Sequence, residues 1–436
     1  MATLSPLRVR TREIPDDDPR YHRPLLDLLP NRAAMSWVRD GSGLVGWGVA
    51  ARFDTAGPDR FAETDTYWHE LCARMDVDDE VRLPGTGPVA FTSLAFGDQP
   101  GDSVLLVPRV VIGQRDGVRW ITTVGEDAVN EGAADGNAAD EPVLPVHGPG
   151  TVRYGDGRLP ATGYRDVVAE AVRTLANGGE VRKVVLAHDL LAETSEPLDP
   201  RFLLDNLARR YPSCWTFAVD GLVGATPELL LERTGHRVRS HVLAGTAWPR
   251  PGVSADELAA GLLDSAKDRA EHAFATESVA AELRPFCGEL AVPAQPEVLR
   301  LRNVLHLASL ISGELHQHAA SNGVAALLRL ASALHPTAAV GGTPTAEAVE
   351  LIEKLEPMDR GRYTGPVGWV DGAGNGALGL ALRCAQIEHQ PGVPDGGSRV
   401  RLFAGGGIVT GSDPDQEVAE AAAKLRPIRE ALEGDA

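Results

Sequence analysis

The sequence predicts a mixed α/β protein, and three observations predict it. Short apolar runs with strand character recur along the whole chain of 436 residues. Segments with helical spacing alternate with them from Tyr164 onward. Hairpin pairs such as Asp371-Gly372 and Asn375-Gly376 join neighbouring runs, so the pattern is not a regular βαβ repeat. No internal repeat is visible.

Residues 1–124 read mainly as strands, at 43–53, 89–96, 103–112 and 118–124. Turns such as Arg115-Asp116-Gly117 separate them. Residues 125–160 differ. They begin with an acidic stretch rich in Gly, Ala and Asn and almost free of large apolar side chains. The whole segment reads as a mobile surface insertion. Residues 166–175 have helical spacing and end at Asn177-Gly178-Gly179, a good helix stop. A strand follows at 183–191 and a helix at 200–210. Strands are expected at 215–219, 229–232, 238–243, 304–311, 366–370, 378–387 and 399–403. Helices are expected at 254–263, 267–283, 323–334, 345–354 and 415–432.

The bulk numbers exclude several classes. No apolar run is long enough for a membrane span. The N-terminus lacks the charged head and apolar core of a secretory signal. A net charge of −19 argues against nucleic acid and anionic membrane surfaces as partners. It also means that an anionic ligand needs a local positive site. Cys72, Cys214, Cys287 and Cys384 are scattered, with no Cys-x-x-Cys pair, so a zinc site or redox dithiol is not expected. Cys214 and Cys384 read as small core residues, and a reduced cytoplasm fits.

Candidate chemistry lies in glycine-punctuated turns between apolar strands. These are Gly224-Ala225-Thr226-Pro227-Glu228, Leu243-Ala244-Gly245-Thr246, Leu334-His335-Pro336-Thr337-Ala338-Ala339-Val340-Gly341-Gly342, Tyr363-Thr364-Gly365-Pro366 and Ala404-Gly405-Gly406-Gly407. Three of them carry a carboxylate, His or Tyr (Glu228, His335 and Tyr363), a pattern that suits a buried polar pocket for a small anion. Lys183 heads an apolar strand. A lysine packed there can act as a base, but by position alone it is a strand-end lysine reaching solvent. Glu228, at the mouth of Leu229-Leu230-Leu231, is either a general acid with a raised pKa or a solvated turn residue. Glu417, Glu420 and Lys424 share a helix face, and i,i+4 ion pairing accounts for them. Glu271 lies on another helix. Together Glu271 and Glu420 would also suit Mg²⁺, a hard ion that often takes one or two carboxylates. Arg383 interrupts an apolar run, and a buried arginine needs an anion. His306 reads as a core histidine. The formal GxGxxG at 374–379 runs into a strand rather than a helix, so it is not a dinucleotide site. No His-Glu-x-x-His, Gly-x-Ser-x-Gly or P-loop pattern is present.

Block by block and in order, these turns resemble the chorismate-utilising enzymes, and within them the isochorismate synthase branch. The resemblance is strong over about 160–430. It implies two packed antiparallel β-sheets flanked by helices. Residues 1–160 would be a strand-rich part of the same body, and 161–436 the chorismate-binding region. It implies a cytoplasmic monomer that isomerises chorismate to isochorismate with Mg²⁺. Lys183 would be the base that activates water for attack at C2. Glu228 would protonate the departing 4-hydroxyl. Glu271 and Glu420 would bind Mg²⁺ at the ring carboxylate, with Lys424 close by. Arg383 and Tyr363 would hold the enolpyruvyl carboxylate. Gly245, Thr246, His306, Ala339 and Gly405 would complete the substrate pocket.

The chain departs from the family pattern at a few positions. His335-Pro336-Thr337-Ala338-Ala339 stands for the usual H-P-T-P-A. Thr92 and Leu94 replace a glycine and an aromatic. Ala377 replaces a glutamate expected near the metal region. Two other readings stay in view. A salicylate synthase would also eliminate pyruvate, and a non-catalytic chorismate-binding paralogue is kept alive by Ala377. Anthranilate and aminodeoxychorismate synthases usually carry a different key turn, and His335-Pro336-Thr337 argues against them. The Leu44–Gly48 run looks like menaquinone-pathway members, and the sequence does not distinguish a menaquinone from a siderophore or another aromatic route.

Overall fold

The computed structural model describes residues 7–31, 33–98, 102–125, 143–316, 326–388 and 396–434. Two large sheets face each other and share one apolar core. It is built on side chains such as Phe91, Leu105, Ile112, Trp120 and Phe217. Pairing is antiparallel throughout, except where Arg8–Glu13 runs parallel to Asp76–Asp79.

The larger sheet is centred on Lys183–Thr194, Arg399–Val409, Cys384–Glu388, Leu222–Thr226, Trp215–Val219 and Met35–Arg39, in that spatial order. The smaller sheet is centred on Val304–Leu315, Arg237–Ala247, Leu229–Thr234, Gly376–Leu380, Pro366–Asp371 and Val89–Ser93. Early and late segments therefore pair directly. Met35–Arg39 lies beside Trp215–Val219, and Val89–Ser93 beside Pro366–Asp371.

Three runs expected as single strands are each two strands, one in either sheet. The 43–53 run divides into Ser42–Trp47 and Ala51–Thr55. The 103–112 run divides into Ser103–Val107 and Val110–Arg115, and 378–387 into Gly376–Leu380 and Cys384–Glu388. In the last two runs both halves are buried, so the apolar pattern continues through the crossing, whereas Ala51–Thr55 is half-buried with Phe53 packed on the core. The breaks fall at Gly48 with φ +66°, at Pro108, and at Arg383 with φ +48°. A fourth crossing joins Leu222–Thr226 to Leu229–Thr234 through Pro227 and Glu228.

Helix Arg60–Cys72 lies between two expected strands, in a part of the chain read mainly as strands. Its buried face includes Arg60, Thr64 and Asp65 beside Phe61 and Trp68, so its apolar period is weak. Buried Asp65 is satisfied by Arg329 at 2.8 Å. Residues 152–156, expected within the mobile insertion, form strand Val152–Asp156 against Lys183–Thr194. Residues 126–142 of that insertion lie outside the described residues. The hairpin reading of Asp371 to Gly376 holds, with Pro366–Asp371 paired to Gly376–Leu380.

Two helices position the site. Ala266–Leu283 starts at Ser265, whose hydroxyl accepts from the Asp268 N–H, and packs on the smaller sheet. Pro414–Glu433 starts at Asp413, with proline in the first turn, and packs on Arg399–Val409 of the larger sheet. Helix Leu327–Leu334 ends at His335 and leads into the turn that carries Ala339.

Candidate active site

All twelve residues singled out by sequence line one cavity of about 270 Å³ between the sheets. The two crossings Pro227–Glu228 and Leu382–Arg383 supply an acid and a cation. The start of Lys183–Thr194 supplies Lys183. Helix Ala266–Leu283 brings Glu271 from the smaller sheet, and helix Pro414–Glu433 brings Glu420 and Lys424 from the larger one.

Lys183 does not reach out to solvent. Its side chain is 15% exposed and its Nζ donates to Glu271 Oε1 at 2.8 Å. Burial pulls the Glu271 pKa upward. Lys183 acts against that with Lys267 and Lys424, and the net position is below the ordinary carboxylate value. Lys424 Nζ bonds Glu420 Oε1 at 2.7 Å and donates to the Gly405 carbonyl at 2.8 Å. The intrahelical ion pair expected from spacing is therefore present, and it also faces the cavity.

Glu228 is not a solvated turn residue, being 7% exposed. Burial pushes its pKa up to about 8, against the pull of Lys183 and Arg383. Near neutral pH it holds a proton it can donate. Arg383 donates to His306 Nε2 at 3.4 Å. Among the described residues it has no carboxylate partner, so its charge is available to an anion in the cavity. His306 is buried and neutral, its pKa pulled down to about 3 by burial and by Arg383 and Lys424. Arginine can only donate, so His306 Nε2 accepts, and Nδ1 carries the hydrogen toward Thr246 Oγ1 at 3.2 Å. Tyr363 stacks on Phe403 with ring centroids 5.0 Å apart, which fixes its place in the wall.

Glycines open room for these groups. A Cβ on Gly407 would stand 2.6 Å from Lys183 Cε. Gly245 has φ +78° and is the extra residue of a bulge between the pairs Ala244–Leu307 and Thr246–His306. That bulge turns Thr246 into the cavity wall.

The sequence reading missed several lining residues. Lys267 and Asp268 lie four and three residues before Glu271, hence on its helix face. Glu417, read only as an ion-pair partner, also lines the cavity. Burial lifts its pKa, with Glu420 adding to that and Ser412 opposing it. The same i,i+3/i+4 rule that explained Glu420 and Lys424 would have found all three.

Ala377 is placed elsewhere. It lies in a wider cleft of about 930 Å³ walled by Trp37, Trp215 and Trp369, and it does not line the cavity of Glu271 and Glu420. The expected closeness of this position to the metal region is not found. Strand Gly376–Leu380 pairs Ala377 with Glu232 and Trp369, away from both helices that carry Glu271 and Glu420.

Among the described residues, no three or more His, Cys, Asp or Glu side chains gather tightly enough to enclose a metal. Glu271 and Glu420 instead suit a hard ion that takes two protein carboxylates and fills its shell with ligand oxygens and water.

The profile of the family described as chorismate binding enzyme matches residues 30–433. The isochorismate synthase DhbC of Bacillus subtilis is 41% identical over 282 residues, 62% of this chain and 67% of that protein. The salicylate biosynthesis isochorismate synthase of Pseudomonas aeruginosa is 33% identical over 421 residues, 91% of this chain and 84% of that protein. The structure of MenF, the menaquinone-specific isochorismate synthase of Escherichia coli, superposes with a TM-score of 0.77 at 26% identity. That superposition covers 98% of this chain and 95% of the other.

Proposed function

The chain belongs to the chorismate-binding enzyme family, and we propose that it is an isochorismate synthase, an isomerase that converts chorismate to isochorismate. One observation supports the mechanism most: a buried carboxyl that keeps its proton, Glu228, shares a small cavity with Lys183 and with Arg383, a cation with no carboxylate partner among the described residues.

In this reading Lys183 takes a proton from a water that attacks C2 of the ring. Both ring double bonds shift, C1=C2 to C1=C6 and C5=C6 to C4=C5, and the C4 hydroxyl leaves as water with the proton of Glu228. One water enters and one leaves, one proton is taken and one given, so the change is an isomerisation. Each proton transfer of this kind contributes about 10²–10⁴-fold to the rate. Arg383 and Tyr363 hold the enolpyruvyl carboxylate. Thr246 orients His306 against the ring, and Ala339 and Gly405 allow close approach of the substrate. Glu271 and Glu420 would hold Mg²⁺, which would orient and neutralise the ring carboxylate. We propose a monomer acting in the cytoplasm, as the family resemblance and the scattered cysteines imply. The product would feed an aromatic route such as the menaquinone and salicylate routes named for its relatives.

The test is product analysis by liquid chromatography and mass spectrometry, with chorismate and with or without Mg²⁺. Metal-dependent isochorismate without pyruvate supports the proposal. Salicylate with free pyruvate would assign the lyase reaction instead. Unchanged chorismate that nevertheless binds would mark a non-catalytic protein.

A further inference from the structure

Each of the two carboxylates assigned to the metal already holds a cation supplied by the chain. Lys183 Nζ lies 2.8 Å from Glu271 Oε1, and Lys424 Nζ lies 2.7 Å from Glu420 Oε1. These four side chains come from separate parts of the fold: a strand start, a helix on the smaller sheet, and one turn of a helix on the larger sheet. All face the same cavity. A third lysine of that cavity, Lys267, has no carboxylate partner among the described residues.

From this arrangement we propose that Lys183 and Lys424 are place-holding cations, which keep the two carboxylates neutralised in the unloaded site and must leave them when a divalent ion enters. The proposal rests on the reading that Glu271 and Glu420 are the metal ligands. Physically, the exchange follows from charge and space. An ammonium at hydrogen-bond distance occupies the side of the carboxylate oxygen that a metal needs, and two cations packed on one oxygen repel each other. Two partly buried carboxylates left bare in one small cavity would also repel, so the lysines hold the empty site in shape.

The exchange also redirects the lysines. Once separated from Glu420, the Lys424 ammonium, still held by the Gly405 carbonyl, turns its charge to the ligand. Lys183, separated from Glu271, loses the partner that favours its charged form and is released to act as the base. Metal and substrate would favour each other through these side chains, with no movement of the sheets.

The experiment is calorimetric titration of the full chain with Mg²⁺ alone, in the absence of substrate. The wild type is compared with Lys183→Gln, Lys424→Gln, Lys267→Gln and Glu271→Gln. Removing either place-holder is expected to tighten Mg²⁺ binding by at least about fivefold, the low end of ordinary coupling between two sites. Lys267→Gln, which removes the same charge from the same cavity but frees no carboxylate, is expected to change it less. Place-holding is overturned if Lys183→Gln and Lys424→Gln bind Mg²⁺ no more tightly than Lys267→Gln, while Glu271→Gln abolishes binding. If Glu271→Gln binds Mg²⁺ as the wild type does, the metal assignment itself fails, and the place-holding idea falls with it.

Discussion

Two sets of ion pairs flank the cavity, and they are built differently. Behind the wall, Arg360 and Glu356 are 3% and 2% exposed and bond each other at 2.6 and 2.8 Å. Arg360 also donates to the carbonyls of Val185 and Val340, and Glu356 accepts from the Ala187 N–H. That pair is saturated and sealed. Inside the cavity, Lys183–Glu271 and Lys424–Glu420 are 15% to 35% exposed, and among the described residues neither carboxylate accepts from a backbone N–H. The sealed pair ties the strand of Lys183 to the turn of Val340 and so fixes the wall. The open pairs can exchange partners. Similar residue types thus serve as fixed structure in one place and as exchangeable chemistry in another, and the number of additional hydrogen bonds decides which.

Breaking the open set at its reactive member has the largest expected effect. Lys183→Ala should lower kcat for isochorismate formation by about 10²–10⁴-fold, with an unchanged circular dichroism spectrum. Wild-type turnover in that variant would remove Lys183 from the role of base. Breaking the sealed set should instead act on the fold. Arg360→Ala strands a buried carboxylate and should cost about 3–5 kcal/mol of stability, read from urea unfolding. A loss below 1 kcal/mol would show that the pair does not hold the wall.

Glu228 sharpens the comparison through pH. Its pKa is raised in the folded protein to about 8, so the folded state keeps a proton that the unfolded chain releases nearer 4.5. Its stabilising contribution is full below about 4.5 and is lost as pH rises through about 8. The acid form needed for catalysis is lost over the upper part of the same window. Activity should therefore fall above pH 8, and the stability of Glu228→Gln should vary less between pH 5 and 9. Equal slopes for wild type and variant would contradict the raised pKa. The smallest effect is expected from Ala377→Glu. Its side chain enters the tryptophan-walled cleft, so Mg²⁺ affinity measured by calorimetry should be unchanged.

Much of the site was legible through the family resemblance, whose pattern holds at a strand start, at two sheet crossings and on two helices. Lys183, Glu228, Glu271, Arg383 and Glu420 were all named from sequence, and they meet in one cavity. What spacing could not supply was the crossing of the chain between sheets. Residues 378–387 read as one strand because both halves are buried, yet Arg383 owes its position to the break. Helix Arg60–Cys72 was hidden because polar residues occupy part of its buried face. The Ala377 position was expected near the metal region from the family pattern alone, and the change of sheet at Arg383 leaves it outside the cavity of Glu271 and Glu420.

The central claim is that solvent water, activated by Lys183, enters at C2 while Glu228 expels the C4 hydroxyl. The most direct test is one turnover of chorismate in ¹⁸O-labelled water, followed by mass spectrometry of isochorismate. The account predicts one solvent oxygen in the product, at C2. Product that retains only the original oxygens would contradict it.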